Sequence, residues 1–161
     1  MNLKDLIELQ INSNGYFRRA DIVVKYMALE NILGKNENGL EFYERMYSKL
    51  CVTSKRKRLG RINNLKSLLD KIDKGTFDSK KHPVLLTPRN NIWDGTHRIA
   101  CACYFNMPSL EVRIIKKEFR RGNDFGMNRL KRGFSKEELD IIIEEQKKIF
   151  DKIGVDKKGE Q

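Results

Sequence analysis

Apolar and polar positions repeat along this chain with two periods, and each period selects an element. Leu3, Leu6, Ile7 and Ile11 recur at helical spacing and stop at Asn12-Ser13-Asn14-Gly15, which predicts a short N-terminal helix and a turn. Residues 22–29 mix β-branched and helix-forming types, so strand and helix are both open. A strand through Asp21-Ile22-Val23-Val24-Lys25-Tyr26 is the expectation. Asn36–Gly39 reads as a turn. Leu40, Tyr43, Tyr47 and Leu50 then share one face, with Phe42 and Met46 beside it, and predict a helix ending near Cys51. The run Lys55-Arg56-Lys57-Arg58 is expected as a loop. Ile62, Leu65, Leu68, Leu69 and Ile72 predict a further helix, with Gly75 placed for its left-handed end.

Strand patterns follow. Pro83–Thr87 and Ile92-Trp93 read as strands around the turn Pro88–Asn91. Arg98–Asn106 reads as a helix of small residues, broken by Met107-Pro108, and Leu110–Ile115 alternates like a strand. The last helix is the best marked. Ser135 and Glu138 form a capping box, Phe134 and Leu139 a hydrophobic staple, and Leu139, Ile142, Ile143, Ile149, Phe150 and Ile153 an apolar stripe before Gly154. The pattern predicts an α+β fold. It is expected as a single domain over 1–155, with 156–161 as a frayed tail.

Composition narrows the class. The chain has 161 residues, 39% apolar and 34% charged, enough for one core. No run nears the roughly 18 apolar residues of a membrane span. Asp5 and Glu8 interrupt the N-terminal leucines, against a signal peptide, and three cysteines argue against a disulfide framework. A cytoplasmic protein is the expectation. Cys101 and Cys103 fall on opposite sides of their helix, so they are expected as small packing residues and not as a metal pair. His82 is expected as a loop residue.

Charge adds a second theme. The net charge is +11, and residues 51–90 alone carry +8. Lys55, Arg56, Lys57, Arg58 and Arg61 form the densest cluster. Such a cluster can hold nucleic acid, an anionic membrane surface or a phosphorylated ligand, or it can be a solvated surface. Residues 113–133 carry a further +6.

The chemistry concentrates in Asp94-Gly95-Thr96-His97-Arg98, between a strand and a helix. Gly95 permits a tight turn. Thr96 is expected to cap the helix, whose first amides suit a phosphate. Arg98 offers a planar fork for phosphate oxygens, and His97 a group that titrates near neutrality. Asp94 can hold Mg²⁺ or act as a base. Each residue alone has an ordinary structural role; the string together predicts a phosphate or nucleotide site.

With these residues in place, the span Leu65–Ile115 resembles the ParB/sulfiredoxin superfamily. The matching parts are the helix Leu65–Ile72, the strand Pro83–Leu86, the hairpin and signature Ile92–Arg98, the Ala-rich helix Ile99–Asn106 and the strand Ser109–Ile115. The resemblance implies a small mixed sheet with packed helices and extra helices at both ends: residues 61–118 would form the signature core, 1–60 N-terminal additions and 119–155 a C-terminal helical extension. The additions resemble those of ParB-like proteins in bacterial polysaccharide gene neighbourhoods.

The superfamily uses the signature to hold nucleotide phosphates. Sulfiredoxins carry a nucleophilic Cys in Gly-Cys-His-Arg; Thr96 stands at that place here, which argues against sulfinic-acid reduction. The partition proteins bind CTP and add a helical DNA-binding domain, and no helix-turn-helix pattern is visible in this chain. The free serine kinases have Asp-Gly-His-His-Arg and a catalytic Glu after their first strand, and this chain is most similar to them. The resemblance implies a kinase using ATP, ADP, CTP or another nucleotide with Mg²⁺. Gly95, Thr96, His97 and Arg98 would hold the nucleotide, Asp94 the metal or acceptor, and Glu30 would be the base, with Asp94 and His97 the other catalytic residues. Glu37 and Glu41 are alternatives for the base, and Lys80 and Lys81, just before the strand at Pro83, could reach phosphates but are expected as a solvated pair. The rival expectations are a DNA-associated or nuclease-like ParB module and a nucleotide-binding regulator without turnover.

Overall fold

Three short strands carry the structure around the signature. A computed structural model of the chain describes residues 1–117 and 125–155. β1 (Val84–Leu86) and β2 (Ile92–Asp94) form an antiparallel hairpin with an irregular register between Leu85 and Leu86. The chain then crosses through α5 (Thr96–Phe105) to β3 (Val112–Ile114), which lies parallel to β1 with Val84 opposite Val112. The order β2-β1-β3 makes the small mixed sheet of an α+β fold, as expected. A parallel return needs such a crossover element, and α5 supplies it.

The helices are α1 (Leu3–Glu8), α2 (Asp21–Ile32), α3 (Gly39–Arg45), α4 (Lys55–Asp73), α5, α6 (Met127–Leu130) and α7 (Lys136–Ile153). A π-helical turn, Met46–Leu50, extends α3. One continuous apolar cluster runs from Leu3 to Val155. No helix among the described residues is long and apolar enough to cross a membrane.

Two expectations are corrected. Asp21–Tyr26 is not a strand but the first half of α2, and every residue from Asp21 to Leu29 is buried. α2 packs on α3, α5, α7 and α4 at once. A helix enclosed on all sides shows no one-sided periodicity, so the β-branched Ile22-Val23-Val24 read locally as strand. Lys55-Arg56-Lys57-Arg58 is not a loop but the first turn of α4. Ser54 caps it by accepting the Lys57 amide, and Lys and Arg are themselves good helix formers. The ion repulsion from the positive helix end is not relieved by any acidic residue in that turn.

The remaining elements follow the pattern with shifted ends. α7 begins at the predicted capping box, with both of its reciprocal hydrogen bonds present, and ends at Gly154 in the left-handed conformation. Gly75 is likewise left-handed at φ +67°. Cys101 and Cys103 are buried free thiols on α5, and burial pushes both up to about 12. His82 is exposed before β1, stacked on Phe77. The predicted tail 156–161 and part of the basic stretch 113–133, residues 118–124, lie outside the described residues.

Candidate functional site

β2 ends at Asp94 and α5 begins at Thr96, so Gly95 alone makes the turn. Its φ is +114°, and a Cβ there would lie 3.1 Å from Val84 Cα. Both facts demand glycine. Gly95 is also the N-cap of α5, and it offers no side chain to the first amides of the helix. Thr96 therefore does not cap α5, contrary to expectation. It is the first helical residue, and capping needs the residue before it.

The Thr96 hydroxyl instead turns inward. Lys25 Nζ donates to Thr96 Oγ1 at 2.5 Å and to Asp21 Oδ2 at 2.6 Å. Arg19 grips the same carboxylate with two donors, Nε to Oδ1 at 2.8 Å and Nη2 to Oδ2 at 2.9 Å. Arg19 Nη1 also donates to the Ile92 carbonyl at 3.1 Å, which ties this group to β2. Lys25, Asp21 and Thr96 are all buried. A row of polar groups thus runs from Arg19 through Asp21 and Lys25 to the N-terminus of α5.

His97 closes the other side. Its Nε2 lies 2.8 Å from the Tyr43 hydroxyl. Tyr43 packs edge-on against Tyr47 one turn later, with ring centroids 4.8 Å apart. The π-helical turn starts between them, and such turns concentrate at functional sites. The Arg61 guanidinium covers the Tyr47 ring at 4.6 Å. On the outer face, Arg98 Nη2 donates to the exposed Asp94 Oδ2 at 2.6 Å, while Arg98 Nε is buried with no hydrogen-bond partner.

These contacts shift the titrating groups. Burial alone would raise the Asp21 carboxyl, but Lys25 and Arg19 more than offset it and hold it below the usual carboxylate range. Burial lowers the proton affinity of Lys25, and Asp21 opposes that. Burial also lowers His97 well below an ordinary histidine; Lys25, Arg61 and Arg98 add to the effect and Asp21 counters it. His97 is therefore neutral near pH 7. Burial raises the Tyr43 and Tyr47 phenols, so both stay protonated.

Asp94, Gly95, Thr96, His97 and Arg98 follow one another at the junction of β2 and α5, and Arg61 of the basic cluster lies over Tyr47 beside them. Glu30 lies elsewhere. The groups acting on it are Glu145, Asn36, Lys148 and Lys152, and burial followed by Glu145 raises its carboxyl. It occupies the far end of α2, beside α7, whereas Asp21 and Lys25 occupy the end under Thr96. Glu41 pairs with Arg45, Glu37 is exposed, and Lys80 and Lys81 are exposed, the latter 3.9 Å from Asp78. Lys55, Arg56 and Lys57 point into solvent, and Arg58 donates to the Thr53 carbonyl.

Among the described residues, no three His, Cys, Asp or Glu side chains converge to hold a metal. Asp94 is a single exposed carboxylate. That suits Mg²⁺ arriving with phosphates, because this ion keeps several waters and needs only one or two protein carboxylates.

No protein-family model, curated protein or solved structure matches the chain.

Sequence reasoning missed Arg19, Asp21, Lys25, the Tyr43 hydroxyl at His97 and the Tyr47 ring under Arg61. One signal was available. Asp21 and Lys25 stand four apart inside an apolar run, the spacing of an ion pair on a helix, and meaningless on a strand.

Proposed function

We propose that the protein is a nucleotide-dependent phosphotransferase of ParB/sulfiredoxin type acting on a small hydroxyl-bearing metabolite. The phosphates would lie at the N-terminus of α5. One observation carries this reading: the charge around that helix end is unbalanced. Among the described residues, Arg19, Lys25, Arg61 and Arg98 supply four cations there, while Asp21 and Asp94 supply two carboxylates. Excess positive charge near a buried helix N-terminus that no side chain caps is completed by an anion.

The residues then take separate roles. The Thr96 and His97 amides and the Arg98 fork hold phosphate oxygens, with Gly95 letting the backbone bend toward them. Lys25, fixed by Asp21, positions Thr96 and adds charge from below. Asp94 faces solvent, where it would hold Mg²⁺; the metal supplies neutralisation of charge developing on the phosphates. His97, kept neutral and joined to the Tyr43 hydroxyl, would position its own amide and the start of α5 against the phosphates. Glu30 has no part in this arrangement.

Calorimetric titration with ATP, ADP and CTP, each with Mg²⁺, tests the reading. One of them should bind saturably, and Arg98→Ala should weaken it at least tenfold while circular dichroism stays unchanged. Absence of any saturable nucleotide binding sinks it. Binding with no phosphate transfer to any hydroxyl compound would instead identify a nucleotide-binding regulator.

A second reading rests on the first turn of α4. Lys55, Arg56 and Lys57 are exposed there, against the sense of the helix dipole. A DNA-associated or nuclease-like module would use them on phosphates, and would bind duplex DNA at physiological salt.

A further inference from the structure

A cleft of about 490 Å³ opens on another part of the molecule, between the loop after α1, the β1–β2 turn and α6. Its volume lies within the roughly 300–1,000 Å³ range of small-molecule sites. The chemistry of its lining is one-sided. Four cations, Arg18, Arg19, Arg129 and Lys131, line it together with five carboxamides, and no carboxylate does so among the described residues. Carboxamides both donate and accept, which is the match for hydroxyl groups; clustered cations match an anion.

The walls are built. Ile11 and Phe17 pair as an isolated bridge across the loop, and Asn12 Oδ1 accepts the Asn14 and Tyr16 amides at 2.9 and 3.1 Å. The buried Gln146 of α7 anchors the loop by accepting the Phe17 amide at 3.0 Å. Arg19 and Arg129 are held by protein groups, Arg19 on Asp21 and the Ile92 carbonyl, Arg129 on the Leu50 carbonyl. They set the potential of the cleft from fixed positions. Arg18 and Lys131 are exposed at its rim.

Gln10 supplies the decisive observation. It lines the cleft and is completely buried. Its Nε2 donates to the Asn90 carbonyl at 2.8 Å, but its Oε1 has no hydrogen-bond partner. A buried carboxamide oxygen left unmet is destabilising, and a donor supplied from the cleft would remove that cost.

We infer that this cleft binds a sugar phosphate. The phosphate would meet Arg18 and Lys131, and the sugar hydroxyls the carboxamides, one hydroxyl donating to Gln10 Oε1. The two exposed rim cations, Arg18 and Lys131, favour a dianion over a singly charged carboxylate. The cleft shares Arg19 and Ile92 with the polar group under α5, but its lining includes none of Asp94 to Arg98, so the two readings are tested by different residues.

Calorimetric titration of the full chain with glucose 6-phosphate tests it. Binding should saturate at one site, with glucose, inorganic phosphate and glucuronate each at least tenfold weaker. The double variant Arg18→Ala, Lys131→Ala changes only exposed side chains and should lose at least tenfold in affinity. Arg98→Ala should leave this affinity unchanged, which separates the cleft from the α5 site. No saturable binding, equal binding of phosphate or glucuronate, or full affinity in the double variant each overturns the proposal.

Discussion

His97 is a histidine kept from its proton. Its ring is half-buried between Tyr43 and a set of cations, and burial, then Lys25, Arg61 and Arg98, depress its affinity. The unfolded chain protonates this side chain near pH 6.5, the folded chain only at lower pH. Below about pH 6.5 the unfolded state therefore binds more protons, and stability falls as acid is added. Urea unfolding between pH 7.5 and 5 should show this loss, and His97→Gln should flatten that limb of the profile. An identical slope in the variant would mean the ring titrates normally. Lys25 shows the same economy of residues: one ammonium joins Asp21 of its own helix to Thr96 of another, a contact 71 positions apart in sequence. Gly39 contributes by what it lacks, since a Cβ there would fall 1.9 Å from the Met27 carbonyl oxygen and force α3 away from α2.

Among the elements, α7 is specified locally and α2 globally. The Ser135–Glu138 box, the buried stripe and Gly154 are all written within one segment, and each is realised. Ser135→Ala removes the hydroxyl that accepts the Glu138 amide at 3.2 Å. It should cost about 1 kcal/mol, roughly 3 °C in Tm for a protein of this size. A loss below a few tenths of a kcal/mol in denaturant unfolding would show that the box adds nothing to α7. α2 has no comparable signature. Its helical form depends on α3, α5 and α7 enclosing it, and no local pattern reports that enclosure. α4 lies between these cases: Ile62, Leu65 and Leu69 marked its buried face, while its four opening cations disguised its start.

At the scale of the whole molecule, charge dominates. A net +11 on 161 residues repels itself in the folded state, where charges are closest. Ion pairs such as Lys4–Glu8 at 3.8 Å and Lys74–Asp70 at 2.8 Å are exposed and contribute little. Screening should therefore help: raising NaCl from about 20 to 200 mM, where the Debye length shortens below 10 Å, should raise Tm. A falling Tm would mean that attractive pairs outweigh the general repulsion. The same charge has two focal points, the N-terminus of α5 and the cleft beside α6, and both gather arginines from separate parts of the chain.

Taken alone, the amino-acid order determined the strands, the amphipathic helices, the caps and the turn at Gly95, because each depends on residues within a few positions of one another. It also placed Asp94 to Arg98 together at a strand-to-helix junction. Only the tertiary structure decided that Asp21–Tyr26 coils as a helix, that Lys25 meets Thr96 and Tyr43 meets His97 while Glu30 lies beside Glu145, and that Gln10, Arg18 and Lys131 line one cleft. Those outcomes follow from burial and from contacts between distant segments, and neither is expressed in the spacing of neighbours along a chain.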